Sequence, residues 1–320
     1  MGLRRRKLGS WKERSKMNII DNMGITQEEV SQLLSSTDKL FNHIFWFKQD
    51  INLLPHKEHI GSAINYNDIK ERRDDFLKEL TLTITSWVYN NQKQKDIFES
   101  RFKETDLANA SAVLTDSARK KFRADRPQGQ FGELLLFNFI QYFFEAAPLL
   151  RKQPITTSTG LERFGADAIH FMKDVDKNVF ILGEAKCYKS KYKFNDALDK
   201  ALNSIVTSFN NIDNELNLYV YDDFIDPALQ DVAKSYKEGG LPNVKFELVC
   251  IIIYDETNKI TKDNESEIKE EIKQIICERC SGFDKTKFTS IDPKVLNRIN
   301  YIIFPIWELD KLLDSFTQLV

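Results

Sequence analysis

Three charged residues near the middle of the chain have the types and spacing of a metal-dependent hydrolytic site. Asp167 begins one apolar segment, and Glu184 and Lys186 follow a second one, residues 179–182. Because alternate residues of a strand point to the same side, Glu184 and Lys186 share a face. A hairpin that turns at Asp176 brings Asp167 beside Glu184. Charged groups at the edge of an apolar sheet are seldom buried unless they are paired or hold a metal.

This arrangement suits the cleavage of a phosphodiester bond with a divalent metal. Carboxylate oxygens are good ligands for Mg²⁺ or Mn²⁺, which keep several waters and bind through substrate phosphates. Such a metal polarises the phosphate, neutralises developing charge and lowers the pKa of a water. We expect Asp167 and Glu184 to hold the metal, and Lys186 to orient the water or stabilise the developing charge. The alternative is an ordinary ion network with no catalytic role.

The elements that must position these residues are the hairpin and a helix on either side of it. Upstream, Glu133 is expected in the first turn of a strongly apolar helix, where the helix dipole tolerates a carboxylate. Glu133 is then either an N-terminal helix charge or a further contact to metal or water. Downstream, apolar residues recur along one side of residues 194–211, which predicts an amphipathic helix.

Other residues of metal-binding type are assigned no such role. His170 has the opposite strand parity to Asp167 and is expected on the other face of the sheet. Cys277 and Cys280 form one C-x-x-C pair, which cannot complete a tetrahedral zinc site. The four cysteines of the chain are too few for a disulfide framework, which indicates a reducing cytosol.

The order helix, hairpin with D…E-x-K, helix resembles the PD-(D/E)xK nuclease superfamily. The motifs FGELLLF, GADAIHF and GEAKCY, followed by a helix with ALDKALNSIVTSF, resemble the HamA family of Hachiman anti-phage defence systems. This resemblance implies an α/β fold with a restriction-endonuclease-like core and catalytic positions at Asp167, Glu184 and Lys186, with Glu133 as an accessory acid. It also implies a partner, a HamB-like superfamily 2 DNA helicase. The first acid lies in Gly-Ala-Asp rather than in Pro-Asp.

Any contact with DNA must come from local basic surfaces or from a partner, because the formal net charge is −2. Two short basic clusters lie close in sequence to the predicted site, and we expect both to contact phosphates. They consist of Lys120, Lys121 and Arg123 before the Glu133 helix, and of Lys189, Lys191 and Lys193 after the hairpin. For the first cluster, a solvated helix face is an equal alternative.

The chain is long enough for a large core, and its pattern suggests three parts. Residues 1–22 form a basic leader that lacks the apolar segment of a signal peptide and is expected to be disordered. Residues 23–125 form a helix-rich N-terminal region that contacts a partner or DNA. Residues 126–320 form the nuclease-like domain. No apolar run reaches the ~18 residues of a membrane span, and a cytoplasmic location is expected.

Within these parts, alternation and periodicity predict individual elements. Strands are predicted at 80–89, where a helix is the alternative, and at 216–221, 244–254 and 301–306. Helices are predicted at 227–236, 265–280 and 307–319. The alternation of the two types predicts one α/β sheet from about residue 130 to the end.

The expected function is hydrolysis of DNA in phage defence under the control of the helicase. No Walker A pattern occurs, so any use of ATP belongs to a partner. Two alternatives are another PD-(D/E)xK nuclease of restriction or repair, and a non-catalytic module that binds DNA or a partner.

Overall fold

The structure, a computed structural model, describes residues 25–122, 127–151, 165–189, 194–219 and 225–320, with the main chain alone at 215 and 217–219. A seven-stranded sheet lies at its centre, and a two-stranded ribbon lies beside it. The sheet strands are β1 (Ile44–Gln49), β2 (His59–Ile64), β5 (Ala147–Leu150), β6 (Ala168–Asp174), β7 (Lys177–Tyr188), β8 (Val244–Asp255) and β9 (Ile299–Ile306). The ribbon strands are β3 (Tyr66–Asn67) and β4 (Lys70–Glu71).

The α-helices of the described residues surround this sheet. Those before the hairpin are α1 (Gln27–Ser31), α2 (Asp38–Phe41), α3 (Arg73–Leu82), α4 (Ile84–Val88), α5 (Asn91–Phe102), α6 (Leu107–Arg119) and α7 (Pro127–Phe144). Those after it are α8 (Phe194–Asn210), α9 (Ile212–Tyr219), α10 (Gln230–Lys237), α11 (Glu265–Ser281), α12 (Pro293–Leu296) and α13 (Leu309–Leu319). Short 3₁₀ turns occupy Pro227–Leu229 and Lys285–Phe288.

The strand order in the sheet is β1-β2-β9-β8-β7-β6-β5. Four consecutive strands, β2, β9, β8 and β7, run parallel to one another. At one edge β1 pairs antiparallel with β2. On the other side β6 pairs antiparallel with β7, and the edge strand β5 pairs antiparallel with β6. Strand β8 is buried from Leu248 to Tyr254 because both faces of an inner parallel strand are covered. The predicted α/β class and the predicted central strand at 244–254 are therefore confirmed.

The sheet separates two hydrophobic cores, and β7 contributes to both of them. Val179 and Ile181 face the core that contains α7 and α13, whereas Phe180 and Leu182 face the core that contains α8 and α11. This alternation follows from the pleat of a strand that is covered on both sides. Along β7, odd-numbered residues therefore face the core with α7 and α13, and even-numbered residues face the core with α8 and α11.

The prediction of a strand at 80–89 was wrong, since α3 and α4 occupy this segment. In a strand Leu80, Leu82 and Ile84 would share one face. Leu80 and Ile84 are buried, however, whereas Leu82 is exposed, which is the four-residue spacing of a helix. The local preference of threonine for strands therefore gave way to packing of this segment in the core.

Two further predictions of secondary structure were wrong. The strand predicted at 216–221 falls on α9 up to Tyr219, and its last two residues lie outside the described ranges. The sheet also does not begin near residue 130, because β1 and β2 join it through parallel pairing of Ile60 with Ile302. The N-terminal region is thus helix-rich as predicted, but it also supplies two strands of the central sheet.

Candidate metal centre

The predicted hairpin is present as β6 and β7, with Ala168 opposite Gly183 and Asp174 opposite Lys177. Asp167 immediately precedes β6, at the end of the hairpin away from the turn. Its Oδ2 accepts a hydrogen bond of 2.8 Å from the backbone N–H of Ala185. The hairpin therefore brings Asp167 next to the strand segment that carries Glu184 and Lys186.

Glu184 is a buried carboxylate, with 2% of its side chain exposed. Its Oε1 accepts a hydrogen bond from Nζ of Lys186, whereas its Oε2 has no hydrogen-bond partner among the described residues. Burial, followed by the charge of Asp167, raises the pKa of Glu184 to about 7, although Lys186 and the hydroxyl of Ser204 act in the opposite direction. The carboxylate thus lacks enough positive charge around it to favour its ionised form.

Lys186 remains protonated in this environment. Burial by itself lowers the pKa of its ammonium group, but the charge of Glu184 and the hydrogen bond to it outweigh burial, so the pKa is raised overall. At neutral pH the side chain is therefore a cation and a donor, and it is unsuited to removing a proton from water.

The donor set fits a hard divalent cation that is held by few protein ligands. Glu184 Oε2 is a buried oxygen without a hydrogen-bond partner in the part of the chain that the structure describes, and the nearby charge of Asp167 adds to the need for a cation. Mg²⁺ and Mn²⁺ are commonly bound by one or two carboxylates together with waters and substrate phosphates. Within the described ranges, no group of three or more His, Cys, Asp or Glu side chains has the arrangement of a metal site.

Glu133 approaches Asp167 from the face of the sheet that is covered by α7. It lies beyond the first turn of α7, because that helix begins at Pro127, so the prediction of a first-turn position was wrong. Glu133, Asp167, Arg151 and His170 line one small cavity of about 10 Å³. Glu184, by contrast, lies on the face of β7 that is covered by α8. The structure therefore brings Glu133 together with Asp167 and keeps it on the opposite side of β7 from Glu184.

Glycines allow α7 to lie close to the hairpin. A Cβ added to Gly183 would meet Leu136 and Ile140 of α7 at 2.8 Å, and one added to Gly132 would lie 3.4 Å from Cβ of Ala185. Gly183 immediately precedes Glu184, so α7 packs closely against β7 directly beside the second acid.

His170 is buried on the α7 face, where its ring meets Phe137 edge-on with centroids 5.5 Å apart. Burial, followed by the charge of Arg151, lowers its pKa to about 3, so the imidazole is neutral. His170 lies on the opposite face from Glu184 and Lys186, in agreement with its strand parity.

The predicted DNA-contacting residues lie partly within the described ranges. Lys120 is exposed at the end of α6 and pairs with Asp116, and Lys121 follows it. Lys189 pairs with Asp310 of α13 at 3.1 Å. Arg123, Lys191 and Lys193 lie outside the described residues.

Two residues of α8 that lie near the candidate metal centre were not predicted from the sequence. The hydroxyl of Ser204 lies close to Glu184, and Nζ of Lys200 lies 5.2 Å from the ring centroid of Tyr188. The two are four residues apart and share one side of the helix. Their spacing is visible in the sequence, but their direction toward β7 depends on how α8 packs.

Comparison with known families gives a match over most of the chain. A family model with the description HamA matches residues 41–320. The matched range includes β1 and β2 as well as the hairpin. A search of curated proteins found no match.

Proposed function

The chain belongs to the HamA family of Hachiman anti-phage defence systems, and we propose that it is a divalent-metal-dependent nuclease that hydrolyses DNA phosphodiester bonds. The observation that carries this proposal is the convergence of Asp167, Glu184 and Lys186 at one end of the hairpin. A restriction-endonuclease-like core of the PD-(D/E)xK kind is part of the same proposal, supported by the order helix, hairpin, helix in α7, β6–β7 and α8.

Asp167 and Glu184 are the proposed ligands of Mg²⁺ or Mn²⁺. Asp167 is fixed by the backbone of Ala185, and Glu184 directs a buried oxygen that has no hydrogen-bond partner among the described residues. When bound, the cation neutralises charge on the scissile phosphate and lowers the pKa of the attacking water. The two carboxylates would hold the cation where the pairing of β6 with β7 ends, next to Ala168 and Gly183.

Lys186 supplies a positive charge to the phosphate as negative charge develops on it. Its raised pKa keeps the ammonium protonated, so electrostatic stabilisation is its role rather than general base catalysis. The ammonium is anchored by Glu184, and about a quarter of the side chain, 27%, is exposed to a substrate. This combination of a fixed position and partial exposure suits contact with a phosphate oxygen.

Glu133 is proposed to act through Asp167 as the accessory acid. The two carboxylates line the same small cavity, together with Arg151. A second negative charge near Asp167 favours binding of a cation there. Glu133 lies on α7, so its distance from the centre depends on the packing of that helix against Gly183.

The DNA backbone is proposed to contact Lys120, Lys121 and Lys189, and also Arg123, Lys191 and Lys193 of the same two clusters. Lys189 pairs with Asp310 of α13, and Phe122, which follows Lys121, contacts Phe316 of the same helix. Salt bridges on an exposed surface are weak, so Lys120 and Lys189 can exchange their carboxylate partners for phosphates.

A HamB-like superfamily 2 helicase is the proposed partner, which restrains the nuclease or delivers DNA to it. Family membership supports this part of the proposal. Among the described residues, no helix is long and apolar enough to cross a membrane.

The deciding experiment is cleavage of plasmid DNA with Mg²⁺ or Mn²⁺, with and without the helicase and ATP. Glu184→Gln and Lys186→Ala should each reduce cleavage by about 100-fold or more, because the first removes a metal ligand and the second removes the positive charge that faces the phosphate. Glu247→Gln is a matched control, since Glu247 pairs with Lys245 in the same i, i+2 arrangement on β8. Failure of the wild type to cut under every condition would favour a non-catalytic module, and cutting by either variant at the rate of the wild type would show that the substituted residue is not catalytic.

A further inference from the structure

Three even-numbered residues near the carboxyl end of β7 share the face that α8 covers. Glu184 and Lys186 belong to the candidate metal centre, and Tyr188 follows two residues later on the same face. The ring of Tyr188 packs against the core beneath α8, and the residue is partly exposed. Because two residues of a strand span about 7 Å, Tyr188 lies about 7 Å beyond Lys186 on the side away from Glu184.

Helix α8 places the side chain of Lys200 beside Tyr188. The Lys200 ammonium lies 5.2 Å from the centroid of the Tyr188 ring. Ser204, one turn further along the same side of α8, lies beside Glu184. One side of α8 thus follows this face of β7 and contacts it at both ends of the candidate centre. Lys200 contacts the end that lies beyond Lys186.

Lys200 is a cation that is not neutralised by a direct partner. It is exposed and forms no ion pair among the described residues, whereas Lys186 is paired with Glu184. A hydrogen bond with the hydroxyl of Tyr188 is the main cause that raises the pKa of Lys200, and the charge of Asp196 adds to the rise. The charge of Lys186 acts against it, because the two ammonium groups repel each other. An anion near Lys200 would relieve this repulsion.

The contact with Tyr188 prepares Lys200 for such an anion. A lysine side chain has many rotamers in water, and it loses this freedom when its ammonium binds a ligand. Tyr188 holds the ammonium beside β7 in advance, so less freedom remains to be lost upon binding. The position of the cation is therefore set by a strand of the sheet rather than by the helix alone.

The spacing along β7 corresponds to successive phosphates of one DNA strand. In the proposed reaction Lys186 faces the scissile phosphate, and Tyr188 lies about 7 Å further along β7. Neighbouring phosphates of a DNA strand have a similar separation. Lysine contacts with phosphates fix the register of a DNA backbone without reading its sequence. A strand that passes along the end of β7 would bring its next phosphate to Lys200.

We propose that Lys200 binds the phosphate next to the scissile phosphate on the strand that is cut, and that Tyr188 positions its ammonium. This inference rests on the proposed nuclease function, and it adds a second phosphate-binding position to that function. Lys200 contacts a phosphate at which no charge develops, so it contributes to binding of DNA more than to the chemical step. Lys186 instead acts where charge develops.

The first test is binding of DNA without metal and without cleavage. The full chain, with chelator present, is titrated against a labelled DNA duplex by fluorescence anisotropy, at salt concentrations from about 50 mM to about 200 mM. Lys200→Ala should weaken binding. It should also reduce the slope of log K against log salt concentration by about 0.9, which is the value for one phosphate contact. Lys200→Arg keeps the charge and should keep the slope.

Lys234→Ala is the matched control, since Lys234 is an exposed lysine of α10, which covers the same face of the sheet. In this helix Tyr236 packs on Phe180, toward the turn of the hairpin and away from the candidate metal centre. Lys234→Ala should therefore keep the slope. Tyr188→Phe should also keep the slope but weaken binding about two- to tenfold, the usual effect of losing one hydrogen bond.

An equal slope for the wild type and Lys200→Ala would overturn the proposal, and so would failure of the wild type to bind DNA at low salt. An equal decrease in slope for Lys234→Ala would overturn it as well, because net charge rather than position would then explain the loss. Binding by Tyr188→Phe at the affinity of the wild type would refute the positioning role of Tyr188. Unfolding of each variant is measured in parallel, since a purely structural contact would change stability but not the slope.

The second test removes charge from the DNA instead of the protein. An uncharged methylphosphonate replaces, in turn, the phosphate on each side of the bond that the wild type cuts. At one of the two positions it should raise the KM of the wild type and have little further effect on Lys200→Ala. Equal increases in both proteins at both positions would contradict the proposal. If the wild type cuts no DNA, the nuclease function fails, whereas the salt dependence of binding still reports on Lys200.

Discussion

Asp167 is bound to the main chain of Ala185, through a hydrogen bond of 2.8 Å from that N–H to its Oδ2. The side chain of Ala185 faces α7, so the contact leaves the opposite face of β7 to Glu184 and Lys186. The first acid is thereby fixed within one residue of the second. Their proximity is one cause of the raised pKa of Glu184, after burial.

Addition of Mg²⁺ or Mn²⁺ should stabilise the wild type against heat. A metal concentration tenfold above Kd adds about 1.4 kcal/mol to the free energy of unfolding, which corresponds to a rise in Tm of about 2 °C. Glu184→Gln should abolish the rise, because the amide is a poor replacement for an anionic ligand. Differential scanning calorimetry measures the effect without any nuclease substrate.

Glu247→Gln should keep the full metal response, since Glu247 pairs with Lys245 on β8. An equal rise in Tm for the wild type and Glu184→Gln would place the metal elsewhere.

In the absence of metal, Glu184 should make the protein less stable as pH rises from about 5 to about 8. Its folded-state pKa is about 7, above its ordinary value of 4.5, so the folded state holds the proton more tightly in this range. Fewer protons bound in the unfolded state mean that the free energy of unfolding falls with rising pH. The loss amounts to about 3 kcal/mol over the whole window.

Glu184→Gln has no carboxyl at this position and should lack this part of the pH dependence. Urea unfolding of both proteins at pH 5, 6, 7 and 8, with chelator present, gives the difference. Parallel curves for the two proteins would contradict a raised pKa for Glu184.

Gly183→Ala should destabilise the protein by about 1–3 kcal/mol, which is the usual effect of overpacking. The added Cβ would meet terminal methyl groups of Leu136 and Ile140 at 2.8 Å, so these side chains must move to admit it. Chemical denaturation measures the change. Gly129→Ala on the same helix is the control, since nothing lies within 4 Å of its added Cβ. Alanine there should be neutral or stabilising by up to about 1 kcal/mol, and a similar loss in both variants would be inconsistent with the packing argument.

Loss of one partner of the ion pair Arg151–Asp226 should destabilise the protein strongly, whereas replacement of both partners by apolar residues should destabilise it less. Both side chains are buried, with 4% and 7% exposed, and they lie 3.4 Å apart. Arg151→Met alone leaves a buried carboxylate without its cation and should cost about 3–5 kcal/mol. The double variant Arg151→Met with Asp226→Leu should recover much of that loss, because an apolar pair removes both charges.

A double-mutant cycle in urea measures the coupling between these two residues. Additive losses in the two single variants and the double variant would show that the pair is not coupled. Lys95 and Glu99, an exposed pair on α5, should show a coupling below about 0.5 kcal/mol and serve as the reference.

The sequence allowed the hairpin and its acids to be predicted, because their signals are local. Val179 to Leu182 form an apolar run next to a polar turn, and parity assigns Glu184 and Lys186 to one face. The same holds for β8, whose length and apolar composition are typical of a strand covered on both faces.

The remaining features depend on partners that are far away in sequence. The pairing of β2 with β9 joins Ile60 to Ile302, and no local pattern predicts it. The position of Glu133 depends on where α7 begins, and helix ends are poorly defined by composition. The burial of the Glu184 carboxylate is a consequence of three-dimensional packing alone.

The parallel pairing of β2 with β9 limits when the sheet can assemble during synthesis on the ribosome. Strand β2 is made early, but its neighbour on the inner side of the sheet is the last strand of the chain. Strand β7, which carries Glu184, also waits for β8 to be translated. A nascent chain that stops before residue 299 therefore lacks the strand that joins the N-terminal pair to the rest of the sheet. Assembly of the whole sheet around the candidate metal centre therefore waits until residues 299–306 have been translated.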